Sequence, residues 1–409
     1  MKLVITTVGT TGDVRPFVAL ARALRGAGHT VRACSYDLYS NDFEAEGIEF
    51  VPIGNPVTQA QIRDTAERVA QVHSAMKQVQ ILQRFHLAGA REQYEDCRAA
   101  TRGFDLAICH TIHTLGQAAS MDNGLPWVGV RFEPTLVPTA YAPPMMMPNL
   151  GQRLNPLLWR ALERGFARVD AVLRDVLAGV GSRQRDLQMF RTVSPHLNLV
   201  ACSPALAGAY PDLPPHFRFN GAWTLDEPLY TPTKELVEFL DGGDKPVVVT
   251  YGSMAGSDAG SVTLTLLALV SIGQRAVVQK GMARAGPWPA VKGVMFVGYL
   301  PHGYLFPRSA CVVHHGGAGT THTTCAAGVP SVVVPHVGDQ FYWATRLQRL
   351  GVAPSSLPRR RLTPGRLAER IQACIASKAM SDRAQEVAGQ MAAEDGLGEA
   401  RKLIESMNH

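Results

Sequence analysis

Lys2-Leu3-Val4-Ile5-Thr6-Thr7-Val8-Gly9-Thr10-Thr11-Gly12-Asp13 opens the chain and decides its architecture. Lys2–Val8 is short, apolar and β-branched, as a buried strand should be. Gly9–Gly12 reads as a loop. Val14–Ala27 carries Phe17, Leu20, Ala21 and Leu24 at helical spacing and stops at Gly28. Thr30–Cys34 is the next strand. Strand, glycine turn, helix, strand is a βαβ unit, which implies a parallel sheet. The loop is not a true G-x-G-x-x-G, so a dinucleotide site is disfavoured.

The alternation continues outward. Phe50–Ile53, Leu106–Cys109, Trp127–Val130 and Leu199–Cys202 read as further strands, and Val57–Arg102 is mostly helical in pattern. Pro134–Gly151 breaks the series with prolines and Met145-Met146-Met147. Leu154–Val180 then reads as one helix, with Leu157, Leu158, Leu162, Phe166, Val169, Val172, Leu173 and Val176 on a broad stripe. A second series starts at Pro246-Val247-Val248-Val249-Thr250, with the loop Tyr251-Gly252-Ser253-Met254 and a helix near Ser261–Ile272. Strands follow at Ala276–Gln279, Val294–Val297, Cys311–His314 and Ser331–Val334. The expected fold is α/β: two doubly wound, Rossmann-like domains whose parallel sheets face across a cleft. The boundaries fall at 1–215 and 236–390. A Pro- and Gly-rich linker spans 216–235, and a C-terminal helix over 391–409 can pack back on the first domain. In open α/β sheets ligands bind beyond the carboxyl ends of the strands.

Composition sets limits. The 409 residues are 46% hydrophobic and 18% charged, enough for two full cores without disulfides. The seven cysteines are scattered and form no C-x-x-C, which argues against a disulfide framework or a zinc site. The net charge of +6 favours anionic partners, yet no basic run is interleaved with aromatics, so nucleic acid is not expected. No apolar stretch is long enough to cross a bilayer, and no signal-peptide core precedes Gly9. A cytoplasmic protein is expected. A basic helix face (Arg160, Arg164, Arg168, Arg174) is a candidate for peripheral membrane contact, or simply solvated charge.

Three places carry chemistry. Val312-Val313-His314-His315-Gly316-Gly317-Ala318-Gly319-Thr320-Thr321 is a strand ending in two imidazoles, then a glycine-rich turn into a helix. Small residues and bare N–H groups at a helix start make an anion site. Asp339 and Gln340, delivered by the strand before Pro335, could hold sugar hydroxyls or cap the next helix. Asp13 could act as a general base, or cap the helix that begins beside it. No Asp-X-Asp occurs, so a diphosphate would be held by a helix N-terminus and imidazole instead of a metal.

Val297-Gly298-Tyr299-Leu300-Pro301-His302, Leu305-Phe306-Pro307, the turn at His314–Thr321, Gly328-Val329-Pro330 and Gly338-Asp339-Gln340 together resemble the donor signature of the UDP-glycosyltransferase family. The wording is most similar to its sterol glucosyltransferase branch, with bacterial macrolide, glycopeptide and rhamnolipid transferases close by. The resemblance covers about residues 2–35 and 245–352. It implies a GT-B fold, with residues 1–215 taking the acceptor and 236–390 the nucleotide sugar, and an inverting transfer of a hexose. UDP-glucose is the first expected donor, a lipophilic sterol, terpenoid, polyketide or hydroxy-lipid the acceptor, and no cofactor or metal is needed. Tyr299 and Leu300 would meet the nucleobase. His314, Gly316, Gly317, Ala318, Gly319 and Thr320, with Gly12 and Ser253, would meet the phosphates, and Asp339 and Gln340 the sugar. Asp13 would be the base. Where many members carry an Asp behind the base, this chain reads His110-Thr111-Ile112-His113, so His110 or His113 could assist or replace Asp13. Phe132 with Met145, Met146 and Met147 would line the acceptor site. Two alternatives are a sugar-nucleotide epimerase on the same fold and a non-catalytic activator of a partner transferase.

Overall fold

The computed structural model describes residues 1–72, 74–145, 147–225, 230–252, 259–279 and 290–408. Seven parallel strands form the first sheet: β1 (Lys2–Thr6), β2 (Thr30–Ser35), β3 (Glu49–Pro52), β4 (Leu106–His110), β5 (Trp127–Arg131), β6 (Leu197–Val200) and β7 (Phe217–Phe219). Their order is β3-β2-β1-β4-β5-β6-β7. Five more form the second: β8 (Val247–Thr250), β9 (Ala276–Gln279), β10 (Val294–Val297), β11 (Cys311–His314) and β12 (Ser331–Val333), in the order β10-β9-β8-β11-β12. Among the described residues every strand pairing in both sheets is parallel, for example Val4 with Arg32 and Ala107, and Val313 with Val249 and Val332. Both sheets are therefore of the doubly wound kind that the βαβ patterning implies.

The chain divides into two compact units, Met1–Leu225 with Asp395–His409, and Asp226–Glu394. Each sheet is sandwiched in apolar side chains. In the first unit Leu3, Val4 and Ile5 of β1 are fully buried with Phe17, Leu20 and Leu24 of the helix Thr11–Gly26. Removing each such side chain from water contributes roughly 1.5–3 kcal/mol. In the second unit β8, β9 and β11 supply alternate residues to two clusters, Val247 and Val313 to one and Val248 and Val312 to the other. That alternation fixes which face each strand residue takes. All seven cysteines are buried free thiols.

Several details differ from the sequence expectation. The first helix begins at Thr11, not Val14. Leu197–Val200, not Leu199–Cys202, is the strand, because Leu197 pairs with Val128 and the chain turns at Cys202. β7 lies inside the stretch read as linker: Phe217 and Phe219 pair with β6 despite the surrounding prolines. The helix Asn155–Gly179 buries Trp159, Phe166, Val169, Leu173 and Leu177, whereas Leu157 and Val172 are 54% and 49% exposed. Much of that stripe is core packing, with Arg160, Arg164, Arg168 and Arg174 on the solvent side. Among the described residues no helix is long and apolar enough to cross a membrane.

The terminal helix Gly396–Glu405 completes the first unit. Ala400 and Ile404 are fully buried in its core, Asn220 Nδ2 donates to the Gly396 carbonyl at 2.8 Å, and His29 Nε2 lies 3.0 Å from Glu405 Oε1. A Cβ on Gly396 would stand 2.4 Å from the Ala222 carbonyl, so glycine is required there for close approach. Ile404→Ala should therefore cost about 2–5 kcal/mol in the first unit, read as a lowered urea midpoint. An unchanged midpoint would mean that the helix contributes no core.

Candidate functional site

In the second unit, β11 ends at His314 and the chain turns sharply into the helix Ala318–Ala326. Gly316 has φ +89°, and a Cβ there would meet Val333 Cγ1 at 2.9 Å and the Gln340 carbonyl at 3.0 Å. Gly317 caps the helix in extended conformation, and its Cβ would lie 2.4 Å from His315 Nε2. These two glycines are demanded by packing. Gly319 is not: a Cβ there meets nothing within 4 Å, and the residue is exposed. The first intrahelical bond runs from the Thr321 N–H to the Gly317 carbonyl. The N–H groups of Ala318, Gly319 and Thr320 precede it and point out of the helix head.

His314 is fully buried, and its Nδ1 accepts the Gly316 N–H at 3.1 Å. That bond places the remaining proton on Nε2, a buried donor with no partner among the described residues. Burial, then the neighbouring His302, pushes the pKa down to about 3. His315, wedged between Gly252 and Gly317, is likewise held near 3 by burial and by His314, His336 and His302. Both rings are therefore neutral at physiological pH, and His314 serves as a hydrogen-bond donor, not as a cation.

The neighbouring strand ends carry other residues singled out in the sequence. Asp339 occupies the N-cap of the helix Gln340–Arg349, yet its carboxylate makes no capping bond. Gln340 is engaged through the oxygen of its amide. Its Oε1 accepts from the His336 N–H at 2.7 Å and the Val337 N–H at 3.1 Å, so the carbonyl braces the loop. The Leu300 side chain is buried with Leu305, Phe306 and Val312, and its carbonyl accepts Gln279 Nε2 at 2.9 Å. Tyr299, 63% exposed, is the side chain this loop presents. Ser253 and Met146 lie outside the described residues.

In the first unit, Asp13 is not the helix cap. Thr10 is, and Asp13 at N3 reaches back so that its Oδ2 accepts the Thr10 N–H at 2.7 Å and the Thr10 hydroxyl at 2.8 Å. Gly9 has φ +126°, and a Cβ there would stand 2.5 Å from that oxygen, so the turn folds around the carboxylate. Gly12 is exposed at the helix head. Burial raises the Asp13 pKa above the ordinary carboxylate value, and the two Thr10 bonds oppose the rise. Tyr39 donates its hydroxyl to the Gly9 carbonyl at 3.0 Å. Four residues on from Asp13, Phe17 meets His110 at 5.2 Å, Phe132 at 5.5 Å and Trp223 at 5.9 Å between ring centroids.

The two histidines part company. His110, at the end of β4, lies 3.2 Å by its Nδ1 from the Thr7 hydroxyl and packs on Phe132. His113 is packed away from Asp13, its Nε2 4.0 Å from Cys97 Sγ and its ring over Gly116. Burial lowers both pKa values to about 3, further lowered at His110 by His113 and His86 and at His113 by His86. Neither bonds to Asp13. Phe132 is half-buried at the strand end, and Met145 and Met147 sit half-buried in the proline-rich loop.

Several members of the site were not singled out in the sequence. Thr10-x-x-Asp13 is a capping-box pattern and was legible as such. Glu133, directly after Phe132, is a second carboxylate near Asp13. Its Oε2 accepts the N–H and the hydroxyl of Thr135, both at 2.6 Å, and burial raises its pKa, with Asp13 adding to the rise. Gln279 and His336 stand at the ends of β9 and β12, as Asp13 and His314 stand at theirs. Among the described residues no group of three His, Cys, Asp or Glu could hold a metal ion.

Two doubly wound parallel-sheet units, one with a glycine turn at a helix head and one with a carboxylate in the first turn of its first helix, make up the GT-B architecture. Residues 267–407 match the family model for the erythromycin biosynthesis protein CIII-like C-terminal domain, and residues 3–94 that for the glycosyltransferase family 28 N-terminal domain. The chain is 30% identical to O-mycaminosyltylonolide 6-deoxyallosyltransferase of Streptomyces fradiae, over 99% of this chain and 97% of that one. It is 30% identical to vancomycin aglycone glucosyltransferase of Amycolatopsis orientalis over 86% and 85%, and 28% identical to sterol 3-beta-glucosyltransferase UGT80A2 of Arabidopsis thaliana over 99% and 65%. The solved glycosyltransferase of kitacinnamycin superposes with a TM-score of 0.76 at 20% identity, covering 99% of this chain and 98% of that one. The chain belongs to the family 1 UDP-glycosyltransferases and is a glycosyltransferase.

Two outcomes test the local physics. Gly316→Ala should destabilise the second unit by more than about 1 kcal/mol, while Gly319→Ala should be neutral or gain up to about 1 kcal/mol, by denaturant titration. Equal effects would mean that the turn is not built as described. Thr10→Val removes a bond that favours ionised Asp13, so it should shift the acid limb of the pH–rate profile upward. An unmoved limb would exclude Asp13 as the group titrating there.

Proposed function

We propose that this enzyme moves a hexose from a UDP-sugar, UDP-glucose first, to a hydroxyl of a lipophilic acceptor, with inversion at the anomeric carbon. The observation that carries the donor half is the head of the helix Ala318–Ala326. There, outward N–H groups stand beside the His314 Nε2–H, a buried donor without a protein acceptor. A diphosphate leaving group gains charge as the glycosidic bond breaks, and fixed N–H donors stabilise it with no reorganisation. A neutral imidazole donor and helix dipole serve that purpose without a cation. Tyr299 would flank the nucleobase and Asp339 the sugar.

The acceptor half rests on Asp13. A general base must be ionised at working pH yet basic enough to take a hydroxyl proton as attack proceeds. Partial burial raises its basicity, and Thr10 keeps the ionised form favoured. Phe132 and the rings around it offer an apolar wall for the acceptor body. His110, already lowered by burial and engaged with Thr7, acts as a support for that wall in this reading. Activity should fall as pH drops through the raised Asp13 value, because protonation removes the base.

The relatives widen the donor choice. The macrolide relative that matches across its full length is named for a 6-deoxyallosyl transfer, so a dTDP-6-deoxyhexose is the second reading. The experiment is a matrix of UDP-glucose and dTDP-deoxyhexoses against macrolide, glycopeptide aglycone, sterol and terpenoid acceptors, read by mass spectrometry. A product in at least one acceptor row is expected, and sugar-nucleotide conversion with no acceptor present would instead favour an epimerase. Asp13→Asn should lower kcat by about 10²–10⁴-fold with UDP affinity nearly unchanged, while His314→Ala should weaken UDP binding. Survival of turnover in Asp13→Asn would remove Asp13 as the base. A chelator should leave the rate unchanged, and a strict divalent-cation requirement would contradict the metal-free reading.

A further inference from the structure

The head of the helix Asn155–Gly179 is tied to the proline-rich loop by buried polar groups. Asn155, fully buried, donates its Nδ2 to the Ala140 carbonyl at 2.9 Å and to Asn149 Oδ1 at 3.0 Å, and its Oδ1 accepts the Leu150 N–H at 3.1 Å. Trp159 donates its Nε1 to the Ala142 carbonyl at 3.0 Å. From the other side, Asp212 accepts the Thr139 hydroxyl at 2.6 Å and the Ala140 N–H at 2.7 Å. These bonds fix the loop segments around Ala140 and Leu150 on the helix head. The loop leaves β5 at its carboxyl end, so the helix head stands at the sheet edge that carries Asp13 and Phe132.

The fixed segments turn apolar side chains to solvent. Tyr141 is exposed, and Leu150, Leu154 and Leu157 are 48%, 47% and 54% exposed. Each lies within two residues of Asn155 or of a group bonded to it. Among the described residues of the first unit only Val172 and Val193 are other large apolar side chains so open to solvent. Single exposed leucines need no explanation, but a cluster held in place by buried hydrogen bonds does. A basic stripe begins at the same point. Leu157, Arg160, Arg164 and Arg168 follow at intervals of three, four and four residues, on the side of the helix opposite the buried Trp159, Phe166 and Leu173. Arg153 stands just before the helix. These four arginines are exposed and make no ion pair or hydrogen bond among the described residues, whereas Arg191 is committed to Asp170. Glu163 is the one acid between residues 153 and 168.

We propose that this surface docks the protein on an anionic lipid bilayer. Tyr141, Leu150, Leu154 and Leu157 enter the boundary between headgroups and acyl chains, and the arginines reach the lipid phosphates. Charge decides the occupant. Four uncommitted guanidinium groups against one carboxylate match an anionic surface and oppose a cationic one, and the net charge of +6 acts in the same direction. A symmetric contact with a second copy would instead set the two arginine stripes against each other. The docking surface does not rest on the donor or acceptor assigned above.

Co-sedimentation of the full chain with vesicles tests it, using phosphatidylcholine alone and phosphatidylcholine with about one third phosphatidylglycerol. Binding to the anionic vesicles is expected, about tenfold or more tighter than to the neutral ones, and the difference should vanish at about 0.5 M salt. Arg160→Gln with Arg164→Gln and Arg168→Gln should weaken it by about tenfold or more. Leu154→Ser with Leu157→Gln should do the same without altering charge. Those residues fall at the N-cap and N3 positions, where Ser and Gln make a capping box, so the fold is kept. Leu267→Gln with Val270→Gln, an exposed apolar pair in the second unit, should change nothing. Equal binding to both vesicles, binding to neither, or binding untouched by the changes on the helix Asn155–Gly179 would overturn the proposal. So would a lipid-free dimer, seen by sedimentation velocity, that Leu154→Ser with Leu157→Gln dissolves, because the surface would then face a second copy.

Discussion

A parallel sheet gathers the carboxyl ends of all its strands on one edge, and the rest of the molecule follows from that constraint. Each strand that ends there hands its next residues to a helix head. The result is a row of turns whose main-chain N–H groups and strand-end side chains share one rim. In the first unit that rim carries Asp13 after β1, His110 at the end of β4 and Phe132 after β5. In the second it carries Gln279, His314, the glycine turn and Asp339. No long-range folding device is needed to assemble either half of the site.

Burial then decides what each polar group can do. His314 is held neutral, with its Nε2 proton unused by any described residue, because charging it inside the core is unfavourable. The same cause acts with the opposite result on Asp13, where desolvation makes a carboxylate more basic. One physical effect thus gives a neutral donor in one unit and a better proton acceptor in the other. Thr10 and Gly9 tune the second case: one supplies two hydrogen bonds, and the other leaves room for the oxygen that receives them.

Much of this was legible in the sequence, and the failures have physical reasons. β-Branched runs and glycine stops located β1, β2, β8 and β11 because such strands are buried on both faces and read as continuous apolar stretches. β7 was hidden because three residues among prolines carry too little pattern, and only pairing with β6 makes them a strand. The acid at residue 13 was seen, but its place in a capping box was not, since the helix start was set at the first apolar residue and not at Thr10. Gln340 and Leu300 show that residue type does not reveal direction: one amide oxygen turns back to its own loop, and one side chain turns into the core. His113 shows the same limit, since a histidine three residues past a strand can face either side.

The central claim is that the turn after β11 cradles diphosphate oxygens. A crystal structure with UDP soaked in tests it most directly. The account predicts phosphate oxygens at about 3 Å from the main-chain N–H groups at the head of Ala318–Ala326, with one of them accepting from His314 Nε2. UDP bound elsewhere, or a helix head with no contact to either phosphate, would contradict it.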